Sequence, residues 1–307
     1  MIKQEEIVRA AEALRAGDLV AMPTETVYGL AGDATNPKAV ARIFETKGRP
    51  RFNPLIAHLP SLQEAERHAH LPPAALALAE TFWPGPLTIV APRKADSSVC
   101  DLACAGLNSI ALRVPAHPIA QALLRACERP LAAPSANRSG RISPTTAAHV
   151  REELGDKLAI ILDGGPCARG VESTIVGFDT GAVARLLRPG AIARAEIEAL
   201  TGPLAAPGAN VAAPGMLTSH YAPRARVRLN AETFEEGEAG LAFGAPAPPG
   251  GETLSVTGDL VEAAANLYAA LRRLDATGAE CIAIAPVPND GLGEAINDRL
   301  QRAAADR

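Results

Sequence analysis

The chain has 307 residues, of which 48% are hydrophobic and 21% charged, and its formal net charge is −4. This length favours two domains, and the hydrophobic fraction is ample for packed cores. The charge balance excludes the strongly basic surface of a protein that binds nucleic acid mainly through the phosphate backbone. Aromatic residues, on which bases could stack, make up only 3% of the chain.

The thiols and the N-terminal residues carry no pattern typical of an exported protein. Five cysteines occur without a CxxC pair, so neither a zinc knuckle nor a thioredoxin-like site is expected. The N-terminus lacks the apolar run of a signal peptide, and no window approaches the roughly 18 apolar residues of a membrane span. These features predict a cytoplasmic protein with reduced thiols and no membrane contact.

The first part of the chain alternates predicted helices and strands. Apolar residues at helical spacing predict a helix over 5–16, and the apolar run 19–23 predicts a strand. Asn36-Pro37 is typical of a helix start, and Ser61 opens a capping box. Further helices are predicted at 73–83 and 118–127 and from Ser143-Pro144, further strands at 55–59, 87–92, 109–114, 131–134 and 158–163, and a hairpin from 172–176 and 184–188 across Thr180-Gly181.

This alternation, followed by a late hairpin, predicts an α/β domain on a mixed sheet over residues 1–202. Residues 203–223 contain no charged residue and are rich in Ala, Pro and Gly, which predicts a linker. Its last part also contains Met, Leu, His and Tyr, which a passive tether does not need, so we expect it to dock as an active-site lid. Residues 224–307 predict a smaller Rossmann-like α/β domain, with strands at 225–229, 239–243 and 281–285 and helices at 259–274 and 292–304.

A cationic segment, residues 47–54, lies between a predicted helix and a predicted strand. It contains Lys47, Arg49 and Arg51 together with helix-breaking Gly and Pro. Flexible lysine and forked arginine side chains that converge in this way bind multiply charged anions. A solvated surface turn is the alternative interpretation.

Polar residues gather at the predicted strand ends of residues 1–202, where open α/β sheets bind ligands. They are Thr24, Glu25, Thr26, Lys47, Arg49, Asn53, His58, Ser109, Arg113, Ser135, Asn137, Ser143, Ser173 and Arg188. Each serine could be a strand-end or turn hydroxyl, and His58 could be structural. Arg113 differs because an arginine within an apolar strand pattern needs an anionic partner if it is buried. The set favours binding of anions over proton abstraction.

Six motifs occur in order through residues 1–202, at 23–30, 47–54, 83–88, 133–137, 172–175 and 187–190. Together they resemble the YrdC-like L-threonylcarbamoyladenylate synthases. The segment 219–223 and the residues after it resemble the long, two-domain form of that family. The resemblance implies a YrdC-like domain on a twisted mixed sheet, joined by the linker to the smaller domain.

The resemblance also implies a reaction and a set of roles. L-threonine, bicarbonate and ATP would give threonylcarbamoyl-AMP and pyrophosphate, a nucleotidyl transfer, and downstream transfer proteins would use the adenylate to modify tRNA next to the anticodon. Mg²⁺ is expected with ATP, but no dedicated protein cage for it. A weak contact with tRNA is also expected. Matching positions imply that ATP is bound by Lys47, Arg49, Asn53, Ser109, Ser135, Ser143, Arg188 and Tyr221. Lys47 and Arg49 would be the catalytic pair. L-threonine would be bound by Thr26, His58, Arg113, Ala133 and Ser173.

The sequence argues against two other functions. A non-catalytic RNA-binding module conflicts with the near-neutral charge of residues 1–202 and with the rarity of aromatic residues. Carbamoyl transfer of the hydrogenase-maturation type would need an acylphosphatase-like part and CxxC zinc motifs, and the sequence contains neither.

Overall fold

The computed structural model describes residues 3–179, 182–206 and 220–305. The predicted hairpin turn at 180–181 and residues 207–219 of the predicted linker lie outside these residues. Two sheets organise the rest, a nine-stranded sheet in the first part of the chain and a four-stranded sheet in the second.

The nine-stranded sheet is mixed, as the sequence predicts. Its strands are β1 Val20–Met22, β2 Gly29–Asp33, β3 Ile56–His58, β4 Leu87–Pro92, β5 Ser109–Arg113, β6 Leu131–Ala132, β7 Ile160–Ile161, β8 Thr174–Phe178 and β9 Ala184–Arg188. They lie in the order β7-β1-β2-β6-β3-β5-β4-β8-β9. The pairs β1–β7, β3–β5 and β4–β8 are parallel and the other pairs are antiparallel.

Helices pack against the strands of this sheet. They are α1 Gln4–Arg15, α2 Pro37–Lys47, α3 Leu62–Glu66, α4 Pro73–Phe82, α5 Pro118–Cys127, α6 Ala147–Leu154 and α7 Arg194–Thr201. Helix α2 begins as predicted, because the Asn36 side chain accepts a hydrogen bond from the backbone N–H of Lys38 and Pro37 occupies the first position. It ends at Gly48, whose φ of 60° is left-handed, so Lys47 belongs to the last turn of the helix.

Apolar clusters bury this sheet, and two of them join its strands to the helices. Helices α1 and α5 contribute residues such as Leu14 and Leu123 to one cluster with strand residues Val20 and Met22. A larger cluster joins Ile43 of α2 to residues of α4 and of the central strands. Each fully buried leucine or isoleucine removes enough apolar surface from water to contribute about 2 kcal/mol, so the sheet is a rigid base for the loops at its strand ends.

The second part of the chain is a small parallel α/β unit, as predicted. Its strands are β10 Arg226–Arg228, β11 Glu238–Ala242, β12 Glu252–Thr253 and β13 Cys281–Ile284, in the order β10-β13-β11-β12, and its helices are α8 Leu260–Ala276 and α9 Gly293–Ala304. Every pair in this sheet is parallel. Val27 and Val171 of the first part belong to the same apolar cluster as Leu267 and Ile296, so the two parts share a buried contact.

Several predicted elements differ from the structure. No helix starts at Ser143-Pro144; Thr146 caps α6 instead, because the buried Ser143 hydroxyl donates to Glu172 rather than to a helix N-terminus. The strand predicted as buried over 158–163 is the two-residue, half-buried edge strand β7. The strand predicted over 131–134 is only two residues long. Strands β2 and β12 and helix α7 have no counterpart among the predicted elements.

Candidate active site

A small central cavity lies where the ends of β3, β5, β8 and β9 meet the loops around residues 133–135 and 220–221. Its volume is about 50 Å³. Its lining comprises Val27, Arg49, Ile56, His58, Arg113, Ala133, Pro134, Ser135, Glu172, Ser173, Arg188, His220 and Tyr221. The structure thus brings together eight of the residues predicted for the site: Arg49, His58, Arg113, Ala133, Ser135, Ser173, Arg188 and Tyr221.

The cationic segment does not form a solvated turn. Lys47 and Arg49 are 3% and 7% exposed. The Lys47 Nζ donates to the carbonyl oxygens of Ser135 and Asn137 and thereby ties the end of α2 to the loop that follows β6. Burial, and then the neighbouring charge of Arg49, hold the pKa of Lys47 well below its ordinary value. Of the three cations in this segment, only Arg51 faces the solvent.

Arg49 is fixed by its own loop. Its Nε donates to the Asn53 carbonyl at 3.2 Å and its Nη2 donates to the Pro54 carbonyl at 3.0 Å. Burial lowers the pKa of Arg49 to about 10, which still leaves the guanidinium charged at neutral pH. The loop therefore presents one fixed positive charge in the wall of the cavity.

Three side chains near the cationic segment carry buried polar atoms without a hydrogen-bond partner among the described residues. They are Asn53 (both amide atoms), Asn137 (Oδ1) and His220 (Nδ1). Leaving a buried polar atom unsatisfied costs about 1–3 kcal/mol, so such atoms point to a ligand or to ordered water. Asn53 does not line the cavity, but it belongs to the same loop as Arg49, whose Nε donates to the Asn53 carbonyl.

Arg113 is buried and has the anionic partner that the sequence analysis required. Its Nη2 donates to Glu25 Oε1 at 2.7 Å, and its Nε lies 3.4 Å from the Gly85 carbonyl. The other oxygen of Glu25 accepts the backbone N–H of Ala116 at 3.0 Å. Burial raises the pKa of Glu25, but the charge and hydrogen bond of Arg113 outweigh it, so the pKa is lowered overall. Glu25 therefore fixes the orientation of Arg113.

His58, at the end of β3, is held as a neutral ring. Its Nδ1 lies 3.2 Å from the Ile56 carbonyl, which can only accept, so Nδ1 carries the proton and Nε2 is the acceptor. Burial, and then the positive charge of Arg113, lower the pKa of His58 to about 3. This side chain is suited to accepting a hydrogen bond from a ligand hydroxyl or amine.

Thr26 is buried but lies outside the cavity lining. The Thr24 hydroxyl donates to the Val27 carbonyl at 2.6 Å, so the Thr26 hydroxyl, 2.9 Å away, donates to Thr24. This arrangement shapes the turn that places Val27 against the cavity.

Ser173 and Arg188 form one unit at the open end of the β8–β9 hairpin, where β8 begins and β9 ends, and we call this place the corner. Arg188 Nη2 donates to the Ser173 hydroxyl at 3.1 Å, and the same hydroxyl shares a hydrogen bond with Thr88 Oγ1 at 2.8 Å. Gly190 permits this corner, because a Cβ there would lie 2.4 Å from the Thr174 nitrogen. The close backbone approach holds Arg188 and Ser173 side by side.

Four predicted ATP residues lie outside the cavity lining, namely Lys47, Asn53, Ser109 and Ser143. Ser109 begins β5 and Arg113 ends it, which separates their Cα atoms by about 13 Å. Ser143 lies one layer behind the lining, where its hydroxyl donates to Glu172 Oε1 at 2.6 Å.

Tyr221, from the predicted linker, is 1% exposed. Its φ of 62° is left-handed. Its ring stacks on Tyr268 of α8 with 5.7 Å between centroids, and the guanidinium carbon of Arg299 lies 5.1 Å from its centroid. The next residue, Ala222, donates its N–H to the Gly140 carbonyl at 2.8 Å. The second domain and the first domain therefore hold this tyrosine between them.

Four residues in or behind the cavity wall were not predicted as site residues from the sequence, namely Glu172, His220, Tyr268 and Arg299. Glu172 and His220 lie inside quoted motifs, at 172–175 and 219–223, so a signal for both existed. For Arg299 the signal was its helical spacing, because it falls on the same face of α9 as Ile296, Leu300 and Ala303. An arginine on an apolar helix face indicates a buried anionic partner.

Neither a metal cluster nor a membrane helix is found in the described ranges. Residues 3–179, 182–206 and 220–305 contain no group of three or more His, Cys, Asp or Glu side chains that could hold a metal ion. Within the same ranges no helix is long and apolar enough to cross a membrane.

Comparison with known proteins places both parts of the chain. Residues 12–190 match the family model Sua5_yciO_yrdC, described as "Telomere recombination", and residues 192–305 match Sua5_C, described as "Threonylcarbamoyl-AMP synthase, C-terminal domain". A relative from Pyrococcus abyssi (strain GE5 / Orsay), named threonylcarbamoyl-AMP synthase, is 42% identical over 100% of this chain and 96% of its own length. A relative of the same name from Bacillus subtilis (strain 168) is 38% identical over 98% and 94%.

A solved structure shares the whole fold. The crystal structure of P. abyssi Sua5 complexed with L-threonine superimposes with a TM-score of 0.92 at 40% identity, covering 99% of this chain and 95% of that one. The chain therefore belongs to the family of Sua5, YciO and YrdC proteins, in its long form with two domains.

Proposed function

We propose that the chain is an L-threonylcarbamoyladenylate synthase, which forms threonylcarbamoyl-AMP and pyrophosphate from L-threonine, bicarbonate and ATP. The observation that carries this proposal is the convergence of Arg49, Arg113 and Arg188 on one buried cavity. The names of the relatives from P. abyssi and B. subtilis support it. The crystal structure of the P. abyssi protein with L-threonine supports it further.

The chemistry needs alignment and charge stabilisation rather than a protein nucleophile. The threonine amine and bicarbonate condense to a carbamate with loss of water. A carbamate oxygen then attacks the α-phosphorus of ATP, the bond to the β-phosphate oxygen breaks, and pyrophosphate leaves. Fixed cations that are already desolvated stabilise the charge on the phosphorus without reorganising, which is the contribution that this cavity offers.

On the ATP side we assign Lys47, Arg49 and Arg188 to the phosphates. Two of the three donors of the Lys47 ammonium are used by backbone carbonyls, which leaves one for a phosphate oxygen. The unpaired amide of Asn53 is placed for the same ligand. Ser135 and Tyr221 complete the nucleotide side. Ser109 and Ser143 are placed less directly, one at the far end of β5 and the other behind Glu172.

On the threonine side we assign Arg113 to the carboxylate. Its Nε and Nη2 face Gly85 and Glu25, which leaves Nη1 for the ligand. Ser173 and Ala133 border the same space, and His58 is suited to accepting from the threonine hydroxyl. Thr26 acts through the turn that carries Val27.

Mg²⁺ is proposed to accompany ATP, held by phosphate oxygens and water rather than by the protein. Glu172 is the carboxylate of the cavity lining, and its oxygens already accept hydrogen bonds from Ser143, Tyr268 and Arg299. The lining residues therefore do not fit a protein-held Mg²⁺ site. Magnesium commonly keeps its waters and binds through substrate phosphates.

The product would then pass to downstream transfer proteins that modify adenosine in tRNA next to the anticodon, in the cytoplasm. A reactive mixed anhydride is consumed promptly, which favours a transient contact with those proteins or with tRNA. As an enzyme that transfers an adenylyl group, the chain would be classed with the nucleotidyltransferases.

The test is pyrophosphate release by the purified protein with each substrate omitted in turn. We expect release only when ATP, L-threonine and bicarbonate are all present, with threonylcarbamoyl-AMP identified by mass. Pyrophosphate release without threonine would refute the assignment. RNA binding without any release would support the RNA-binding alternative instead.

A further inference from the structure

The second domain reaches the wall of the central cavity through one carboxylate, that of Glu172. Tyr268 of α8 donates its hydroxyl to Glu172 Oε2 at 2.8 Å. Arg299 of α9 donates its Nε to the same oxygen at 2.8 Å. Glu172 comes from the first domain, directly before Ser173, and it lines the cavity. Two residues of one domain therefore hold a cavity residue of the other.

The side chain of Arg299 is placed to hold Glu172 and does not face the solvent. Its side chain is fully buried, and its Nη2 donates to the Pro189 carbonyl at 3.0 Å, next to Arg188 in the chain. The remaining nitrogen is paired with Asp298. Although burial raises the pKa of Glu172, the charges of Arg299 and then Arg188 and the hydrogen bond from Ser143 lower it to about 2. Glu172 is therefore a carboxylate at neutral pH.

A carboxylate in the wall of a phosphate site repels the phosphates unless another cation balances it. Coulomb energies between unit charges a few ångströms apart reach several kcal/mol inside a protein. Arg299 supplies that balance from outside the lining, and its guanidinium also faces the ring of Tyr221. The same side chain thus neutralises Glu172 and supports the linker tyrosine.

We propose that the second domain completes the nucleotide site: Arg299 and Tyr268 are positioning residues that neutralise and orient Glu172 and hold Tyr221 against the cavity. This inference rests on the proposed function. The effect is on the ATP side, because Arg113 and its partner Glu25 are held by contacts within the first domain. Loss of Arg299 should therefore change the affinity for ATP and spare the affinity for threonine.

The experiment measures KM for ATP and for threonine, with kcat, by pyrophosphate release in the full-length protein. In Arg299→Met we expect KM for ATP to rise by about tenfold or more and KM for threonine to stay within about twofold. Adding Glu172→Gln to that variant removes the unbalanced charge, so KM for ATP should fall most of the way back to the wild-type value. Tyr268→Phe keeps the ring against Tyr221 and should raise KM for ATP by about threefold.

A matched control is another ion pair between the same two domains. Arg194 of α7 pairs with Glu294 of α9 at the surface, away from the cavity lining. Arg194→Met tests whether loss of any ion pair between the domains has the same effect, and we expect wild-type KM values for this variant. An Arg194→Met variant that raises KM for ATP as much as Arg299→Met does would overturn the proposal.

The remaining outcomes also decide the question. Equal rises in both KM values in Arg299→Met, without recovery in the double variant, mean a structural role and overturn the proposal. If Arg299→Met does not fold, Tyr268→Phe decides, because an unchanged KM for ATP in that variant overturns the proposal. Wild-type protein that releases no pyrophosphate with threonine refutes the proposed function instead, and ATP titration by calorimetry of the same variants then tests the inference alone.

Discussion

Replacing Arg113 with methionine is the sharpest test of the threonine side of the site. The guanidinium lies in the cavity wall and is paired with Glu25 at 2.7 Å. A threonine carboxylate that loses its charge-assisted partner loses about 2 kcal/mol, which is about a thirtyfold weaker affinity. The substitution also leaves the Glu25 carboxylate, 12% exposed, without its cation. An unpaired buried charge costs about 3 kcal/mol or more, so the variant should also be less stable.

These two effects can be separated. Glu25→Gln combined with Arg113→Met removes the unpaired charge, so stability should recover while threonine affinity should not. Glu25→Gln alone is the matched control, because it keeps the guanidinium, and it should retain measurable threonine binding. The assay is calorimetric titration of L-threonine at saturating ATP, with thermal denaturation of each variant. Wild-type threonine affinity in the stable double variant would refute the reasoning.

Three further predictions concern the corner, the linker and acid. Gly190→Ala would place a Cβ 2.4 Å from the Thr174 nitrogen, so we expect a loss of at least about 2 kcal/mol in urea denaturation, and an unchanged midpoint would contradict this. Tyr221→Ala should impair turnover and speed proteolytic nicking of the adjoining linker in the presence of ATP; wild-type rates for both would mean that the linker is only a tether. Burial lowers the pKa of His58 and of His220 to about 3, whereas both titrate near 6.5 when unfolded. Between pH 6.5 and pH 3 the unfolded chain therefore binds protons that the folded chain does not. As the pH drops through this window, each of the two histidines should lower the free energy of unfolding by about 1.4 kcal/mol per pH unit. Equal denaturation midpoints at pH 7 and pH 5 would exclude this.

Elements with strong local signals were predicted well from the sequence, and elements made by tertiary context were not. The Asn36-Pro37 start of α2 follows from capping chemistry and backbone geometry that act within a few residues. Strand β2 has the sequence Gly-Leu-Ala-Gly-Asp, which lacks both alternation and β-branched residues. It is a strand because it is buried between β1 and β6. Helix α7 buries only Ile197 among its described residues, so its apolar pattern is too weak to detect.

Ser143 shows how a correct local rule can give a wrong element. A serine followed by proline is a common helix start, and capping is worth about 1 kcal/mol. The hydroxyl instead donates to the buried Glu172 carboxylate, a charge-assisted hydrogen bond that is stronger. Thr146, three residues later, then caps α6. The partner is 29 residues away in the chain, so no local pattern could reveal the competition.

The candidate site follows the same division. Residues in motifs, such as Arg49 and Arg188, were predicted, and the structure places both in the cavity lining. Their protein partners were not predicted. Glu25 was recognised only as a polar strand-end residue, because its pairing with Arg113 spans 88 positions. Arg299 and Glu172 are 127 positions apart, and only the fold brings such residues together.

The size of the cavity connects the linker to the binding of ATP. A volume of about 50 Å³ holds one or two water molecules, whereas pockets for ligands as large as a nucleotide measure several hundred cubic ångströms. We therefore expect His220 and Tyr221, which line the cavity, to shift when ATP binds. The left-handed backbone of Tyr221 costs about 1 kcal/mol or more, and contacts from both domains offset that cost. Because Arg299 and Tyr268 supply those contacts, they hold Tyr221 against the cavity, and this is the link between the second domain and ATP affinity that we propose.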